Sequence, residues 1–340
     1  MKFRSVAPLR LGLAGGGTDV SPYVDRYGGA VVNASINLFA RVDLEPGTNN
    51  EINFYADDDL VYHTESKKTI EPLRPYELIA GVYNRIIKDF DLEPLTFNLK
   101  CSIDAPPGSG LGSSSTMVVA ILGAFNEWLN LGLDKARIAL LAFEIEREDL
   151  KMEGGKQDQY TASYGGLNFM HFRENGSVDV QKINVEQELL KELANNLLLF
   201  HTKTSRFSSD IIIEQSANIE HNNNDSLNAT HQIKSHAYKM KQLLLNNDLE
   251  GIGSLLHDGW KSKKQMAKKI SNSLLDNYYQ NAIECGALGG KISGAGGGGF
   301  MMFYCEPANQ HRLIKKLENL GAELSVYRFT DQGLQVHQEK

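Results

Sequence analysis

At 340 residues, with 41% hydrophobic and 23% charged side chains, the chain is long enough for about two globular domains whose cores need no disulfide or metal staple. Its formal charge of −7 argues against nucleic acid or an anionic membrane as a bulk partner, while local cations can still serve small anions. No apolar run approaches the ~18 residues of a membrane span, the N-terminus lacks a signal-peptide core, and Cys101, Cys285 and Cys305 are too widely spaced for a disulfide framework, so a cytoplasmic protein with reduced thiols is expected.

Ala7 to Val20 reads as a short alternating strand entering a triple-glycine turn, Gly15-Gly16-Gly17, bracketed by Arg10 and Asp19. Glycines there let a ligand approach the backbone, and Asp19 either accepts hydrogen bonds from sugar-type hydroxyls or caps the turn. Two strands of the same sheet are expected at 28–36 and 39–44. The polar stretch 49–69 suits a hairpin, and its triple Asp lacks the glycine and glutamate placement of an EF-hand loop. From Pro75 to Phe90 an amphipathic helix is expected, with Leu78, Ile79, Val82, Ile86 and Ile87 on its apolar face.

Leu95 to Ile103 alternates as a half-buried strand, and Thr116 opens a long apolar helix ending near Leu131-Gly132. Between them lies Pro107-Gly108-Ser109-Gly110-Leu111-Gly112-Ser113-Ser114-Ser115. The glycines allow positive φ, the serines stand where they can cap the helix, and the unpaired first-turn N–H groups favour an anion, phosphate above all. A dinucleotide G-x-G-x-x-G would need glycine where Ser113 stands, and a Walker loop would need lysine before the Ser/Thr; an ordinary strand-to-helix turn is the competing reading.

Asp134 is the expected N-cap of the next helix, which turns charged through Glu144, Glu146, Arg147, Glu148 and Asp149. Asp158 follows, with glycines on both sides and Lys156 two residues away, a setting unlike that of a plain surface carboxylate. Composition loosens around Asn175, and a domain division into 1–185 and 186–340 is expected. A helix from Glu186 to Asn195 and a buried strand at 197–201 lead into residues 202–210, where Lys203 and Arg206 among hydroxyls suit a phosphate or sugar contact. Residues 218–230 read as a polar loop, and the lysines between 261 and 269 as a solvated helix face. The glycine run from Gly286 to Gly299 precedes a buried strand at 300–304, and so many glycines beside a strand point to close approach of a ligand or another backbone. A helix around Arg312 to Leu317 and a last strand at 324–329 follow; the histidines show no metal-ligand spacing.

Three glycine-rich stretches in this order, Ala7 to Asp19, Pro107 to Thr116 and Lys291 to Gly299, resemble the three motifs of the GHMP kinases, and the resemblance spans nearly the whole chain. It implies an α+β fold of two domains, the N-terminal one like ribosomal protein S5 domain 2 and the C-terminal one ferredoxin-like. It also implies an ATP- and Mg2+-dependent phosphotransferase with an alcohol group as acceptor. By position, Asp158 matches the family's catalytic Asp, Glu146 its magnesium-binding Glu, and Ser114 (or Ser113) its magnesium-binding Ser, while the stretch from Pro107 to Ser115 would hold the ATP phosphates. Arg10 and Lys156 are expected to stabilise charge beside Asp158. Acceptor contacts are expected from Arg10, Gly16, Gly17, Thr18, Asp19, Asp158, Ser293, Gly294, Ala295 and Gly296, with Lys203 and Arg206 taking a phosphate on the substrate.

Where sugar kinases of the family often carry Glu-His, this chain has Gly16-Gly17. Its Ala14-Gly15-Gly16-Gly17-Thr18-Asp19 is similar to the form in bacterial kinases of D-glycero-D-manno-heptose phosphate, and to the A-G-G-W-T-D form of fucokinases. That implies transfer of the ATP γ-phosphate to the anomeric C1 hydroxyl of D-glycero-D-manno-heptose 7-phosphate, in the making of nucleotide-activated heptose. The competing readings are a fucokinase-like or other sugar-1-kinase on an unphosphorylated sugar, and a catalytically silent sensor of sugar and ATP. The partners implied are ATP and a sugar phosphate, without nucleic acid or membrane; the oligomeric state, a homodimer included, is left open.

Overall fold

A computed structural model describes residues 1–57, 59–204 and 208–339. Alternation at the N-terminus builds β1 (Lys2–Ala14), which buries Leu9, Leu11 and Leu13, each contributing about 2 kcal/mol of hydrophobic stabilisation. After the short helix α1 (Tyr23–Tyr27) the chain returns as β2 (Gly29–Pro46), antiparallel to β1. This is one strand where two were expected, because a shift of register opposite Pro8 and Arg10 absorbs the irregularity without ending the pairing. The expected hairpin is β3 (Glu51–Ala56) and β4 (Asp59–Glu65), followed by α2 (Glu77–Asp89), β5 (Phe97–Ile103) and α3 (Ser113–Leu129). Helix α4 (Lys135–Glu144) begins at Asp134, whose Oδ1 accepts from the Arg137 N–H at 2.8 Å, and widens into a π-helical turn at Ile145–Asp149. Next come α5 (Gln157–Tyr164), β6 (Leu167–Phe172) and β7 (Val178–Lys182).

The second half opens with α6 (Gln187–Asn196), β8 (Leu197–His201), α7 (Ser208–Glu220), α8 (Asn224–Leu245) and α9 (Leu249–Met266). It continues through α10 (Ser273–Glu284), β9 (Ala287–Ile292), β10 (Phe300–Cys305), α11 (Pro307–Asn319), β11 (Glu323–Ser325) and β12 (Gln335–Glu339). One sheet runs β12-β1-β2-β5-β3-β4, with β6 on β2 and β7 on β6; the other runs β11-β8-β10-β9, antiparallel throughout, with the split βαβ connectivity of a ferredoxin-like unit. The architecture is thus α+β, as expected. A shared core joins the two sheets: Leu9, Leu11 and Ala30 pack in one cluster with Leu199, Met240, Leu256 and Met302. Among the described residues no helix is long and apolar enough to cross a membrane.

Two expectations fail, one where an apolar signal is lacking and one where apolar residues do not continue a strand. The loop placed at 218–230 is helix on both sides of residues 221–223, because Asn223 caps α8 by accepting from the Ser226 N–H at 3.1 Å, Asn218 donates to the Met266 carbonyl at 2.9 Å, and Asn224 and Asn228 are exposed. The strand placed at 324–329 ends at Ser325, apart from one bridge between Phe329 and Ile36. The chain then pairs β12, polar and largely exposed, with β1, which brings its end back to the first sheet.

Candidate active site

Successive residues of the loop between β5 and α3 face opposite ways. Gly108, Gly110, Gly112 and the first-turn residues Ser113, Ser114 and Ser115 line a cleft, whereas Ser109 and Leu111 are buried behind it and Pro107 is exposed outside it. Gly110 and Gly112 have φ of +74° and +79°, and neighbouring atoms crowd both. A Cβ on Gly110 would stand 2.5 Å from the Ser293 carbonyl oxygen, and one on Gly112 would stand 3.1 Å from the Asp158 carboxyl carbon. No side chain caps α3, contrary to the expectation for its serines: Gly112 holds the cap position, Ser114 Oγ donates to Glu146 Oε1 at 3.0 Å, and Ser115 Oγ accepts from Gln159 Nε2 at 3.1 Å. The positive end of this 17-residue helix therefore meets the cleft with its first-turn amides uncapped by side chains.

One guanidinium links the three glycine-rich stretches. Arg10, buried on β1, donates from Nε to Asp158 Oδ1 at 2.8 Å, with Nη2 in ion-pair contact with the same oxygen at 2.7 Å, and from Nη1 to the Gly110 carbonyl at 2.5 Å and to Ser293 Oγ at 3.2 Å. Asp158 sits in the first turn of α5, and a second carboxylate positions that turn. Asp19 Oδ2 accepts the Lys156 and Gln157 backbone N–H groups, each at 3.0 Å, and Oδ1 accepts Gln157 Nε2 at 2.9 Å. Asp19 is buried, and its burial raises the carboxyl above its ordinary pKa, against the pull of the Gln157 backbone N–H. A Cβ on Gly155 would stand 2.0 Å from Asp19 Oδ2, so glycine is obligatory there.

Glu146 is placed by the π-helical turn, in which the Leu150 N–H reaches back to the Ile145 carbonyl at 2.9 Å. Only 1% exposed, Glu146 is held between Ser114 and Gln159. A carboxylate and a hydroxyl beside an anion-attracting helix end can hold a hard cation next to phosphate oxygens.

Several expected residues do not reach the cleft. Lys156 turns its ammonium away, donating to the Gly176 carbonyl at 3.1 Å and lying over the Phe143 ring. Only its backbone N–H serves the site, through Asp19. Thr18 is buried and ties its own loop, its Oγ1 donating to the Gly15 and Ala30 carbonyls at 2.8 and 3.0 Å. Lys203 is exposed and paired with Glu323 at 2.9 Å, outside the cleft. Arg206 lies outside the described residues. Gly16, Gly17, Asp19, Ser293, Gly294, Ala295 and Gly296 do line the cleft with Arg10 and Asp158.

Four side chains to which motif reading assigned no role in the site also matter, Lys291 of the third motif among them. Gln157 and Arg147 line the cleft, and so do Lys263 and Lys291, which are 2% and 6% exposed. Burial lowers Lys263 to about 8, against the attraction of Asp19, and lowers Lys291 well below its ordinary value, helped by repulsion from Lys263 and Arg10. The helical register carried a signal for Lys263: it shares the buried stripe Ile252, Leu256, Gly259, Trp260 of α9, unlike the exposed Lys261 and Lys264.

Residues 77–166 match the family model described as the N-terminal domain of GHMP kinases, and residues 240–323 match the one described as their C-terminal domain. The chain is 42% identical over 332 residues, 97% of each chain, to a D-glycero-alpha-D-manno-heptose 7-phosphate kinase of Campylobacter jejuni. A crystal structure described as a D-glycero-D-manno-heptose 1-phosphate kinase from Bacteroides thetaiotaomicron superposes with a TM-score of 0.83 at 39% identity, covering 99% of both chains. An L-fucokinase/L-fucose-1-P guanylyltransferase of Bacteroides fragilis is 26% identical over 97% of this chain and 38% of its own.

Proposed function

The chain belongs to the GHMP kinases, ATP-dependent phosphotransferases with an alcohol acceptor, and on that premise we propose that it transfers the ATP γ-phosphate to the anomeric C1 hydroxyl of D-glycero-D-manno-heptose 7-phosphate. The observation that carries the reading is the position of Asp158. Its Oδ1 is held by Arg10 while its Oδ2 lies 3.3 Å from where a Cβ of Gly112 would stand, at the head of the phosphate-binding loop. A base placed there meets an acceptor hydroxyl at the point where a phosphate seated on α3 is attacked.

The roles follow from the contacts. The cleft-facing residues Gly108, Gly110 and Gly112 and the first-turn amides of α3 at Ser113 to Ser115 receive the triphosphate. Asp158 orients the hydroxyl and takes its proton, and Arg10 compensates charge that builds on the transferring group and on Gly110's side of the cleft. Mg2+ suits Glu146 and Ser114, which offer hard oxygen donors; among the described residues no cluster of three His, Cys, Asp or Glu side chains could hold a metal unaided, so phosphate oxygens and water would complete its shell. When bound, the ion would neutralise negative charge on the triphosphate. Asp19 and Gln157 present fixed polar atoms to the sugar hydroxyls.

The names of the two heptose kinase relatives place the sugar's own phosphate on different carbons. ADP release measured with heptose 7-phosphate, heptose 1-phosphate, fucose, galactose and mannose separates the acceptors. The 7-phosphate is expected to give the highest kcat/KM; a higher value for an unphosphorylated sugar would overturn the reading in favour of a fucokinase-like enzyme, and no sugar-dependent ADP release would indicate a silent sensor.

A further inference from the structure

Lys263 and Lys291 come from different elements, α9 and β9, yet both end on carbonyls of the first glycine-rich stretch. Lys291 Nζ donates to the Gly12 carbonyl at 2.6 Å and Lys263 Nζ to the Gly16 carbonyl at 3.4 Å. An ammonium has three N–H donors, and among the described residues neither lysine has a carboxylate within ion-pair distance. The nearby acids are engaged elsewhere, Asp158 with Arg10 and Asp19 with the start of α5. Two buried lysines thus stand near Arg10 with no carboxylate of their own in ion-pair contact, an arrangement that an anion in the cleft would complete.

Gly12 and Gly16 supply a second, independent observation. Neither has positive φ, and a Cβ built on either would meet nothing nearer than 3.8 Å, the closest atoms being those of the Gln157 amide. Neither backbone nor packing demands glycine at these two positions, in contrast to Gly15, Gly110 and Gly155. What glycine preserves there is open space beside the Gln157 amide, on the same stretch whose carbonyls the two ammonium groups meet.

We infer that Lys263 and Lys291, over the floor left open by Gly12 and Gly16, form the subsite for the phosphate that the acceptor already carries. The inference rests on the reading that the acceptor is a sugar phosphate. The location assigns the subsite to the acceptor rather than the nucleotide, because both ammonium groups donate to carbonyls of the first glycine-rich stretch, which also carries Asp19, and neither donates to the 108–115 loop. A dianion suits two ammonium groups better than a hydroxyl does, since neutral donors such as Gln157 serve hydroxyls without burying charge. Phosphate binding also offsets the burial that depresses both lysines.

The test compares heptose 7-phosphate with the same heptose lacking its phosphate in wild type, Lys263→Met, Lys291→Met and Lys263→Arg, with KM for ATP measured in each. The wild-type preference for the phosphorylated sugar is expected to fall about 100-fold in each Met variant, to recover in part in Lys263→Arg, and to leave KM for ATP within about threefold. Equal losses on both acceptors would overturn the inference and assign the lysines to sugar hydroxyls; a raised KM for ATP would overturn it in favour of the nucleotide. A wild type that prefers the unphosphorylated heptose would sink the underlying functional reading instead, a result visible before any variant is made. Should the Met variants fail to fold, Gly16→Ala adds a methyl that meets no protein atom within 3.8 Å and is expected to raise KM for the 7-phosphate about tenfold. An unchanged value there would equally contradict the subsite.

Discussion

Arg10 holds one oxygen of Asp158, Oδ1, by a hydrogen bond from Nε at 2.8 Å and an ion-pair contact from Nη2 at 2.7 Å, while Oδ2 turns toward Gly112. The carboxylate is thereby fixed in orientation by a buried cation while its other oxygen remains on the side of the phosphate-binding loop.

Asp158→Asn keeps the shape of the side chain and removes the proton acceptor. Steady-state kinetics should show kcat lowered by about 10³-fold with KM for ATP little changed. Turnover close to wild type would mean that the reaction proceeds by positioning alone.

Gly112→Ala tests how closely the loop and Asp158 approach. The φ of +79° costs an alanine about 1 kcal/mol, and its methyl would press on the Asp158 carboxyl at 3.1 Å. A drop in Tm of a few degrees together with a loss of kcat larger than the loss of ATP affinity is expected. A stability loss with intact turnover would show that Asp158 tolerates displacement.

Glu146→Gln should raise the Mg2+ concentration needed for half-maximal activity by about 10- to 100-fold. An unaltered Mg2+ dependence would remove Glu146 from the cation's shell.

The ligand-free protein should show the titration of Lys263. Its folded value of about 8 lies below the ordinary 10.5, so between those two pH values the unfolded chain holds a proton that the folded one has released. Stability attributable to this lysine therefore rises with pH across that window. Asp19 opposes the shift, Arg10 favours it, and the nearby His236 is itself lowered by burial. Thermal unfolding of wild type and Lys263→Met from pH 7 to 10 should show wild type gaining on the variant as pH rises; a constant difference would place the ammonium in contact with solvent.

The elements visible in the sequence were those with an apolar period. The face of α2 carrying Ile79, Val82, Ile86 and Ile87, the β8 run and the Asp134 cap all stand where patterning put them. β12 and the start of α8 did not show because their residues are polar and exposed, and their pairing partner or cap is what orders them. The site divides the same way. Glycine spacing pointed to the loop because backbone approach demands it, whereas Lys203 looked suitable by composition and proved to be a surface ion pair. Gln159, which holds Glu146 and Ser115 from inside α5, has no motif of its own; only the fold brings it within reach.

The most direct test is the position of the new phosphate. Incubation of the enzyme with ATP, Mg2+ and D-glycero-D-manno-heptose 7-phosphate, followed by phosphorus NMR, should show a second phosphate coupled to the anomeric proton as ADP forms, giving the 1,7-bisphosphate. ADP formed without an anomeric phosphate, or a new phosphate on any other carbon, would contradict the account.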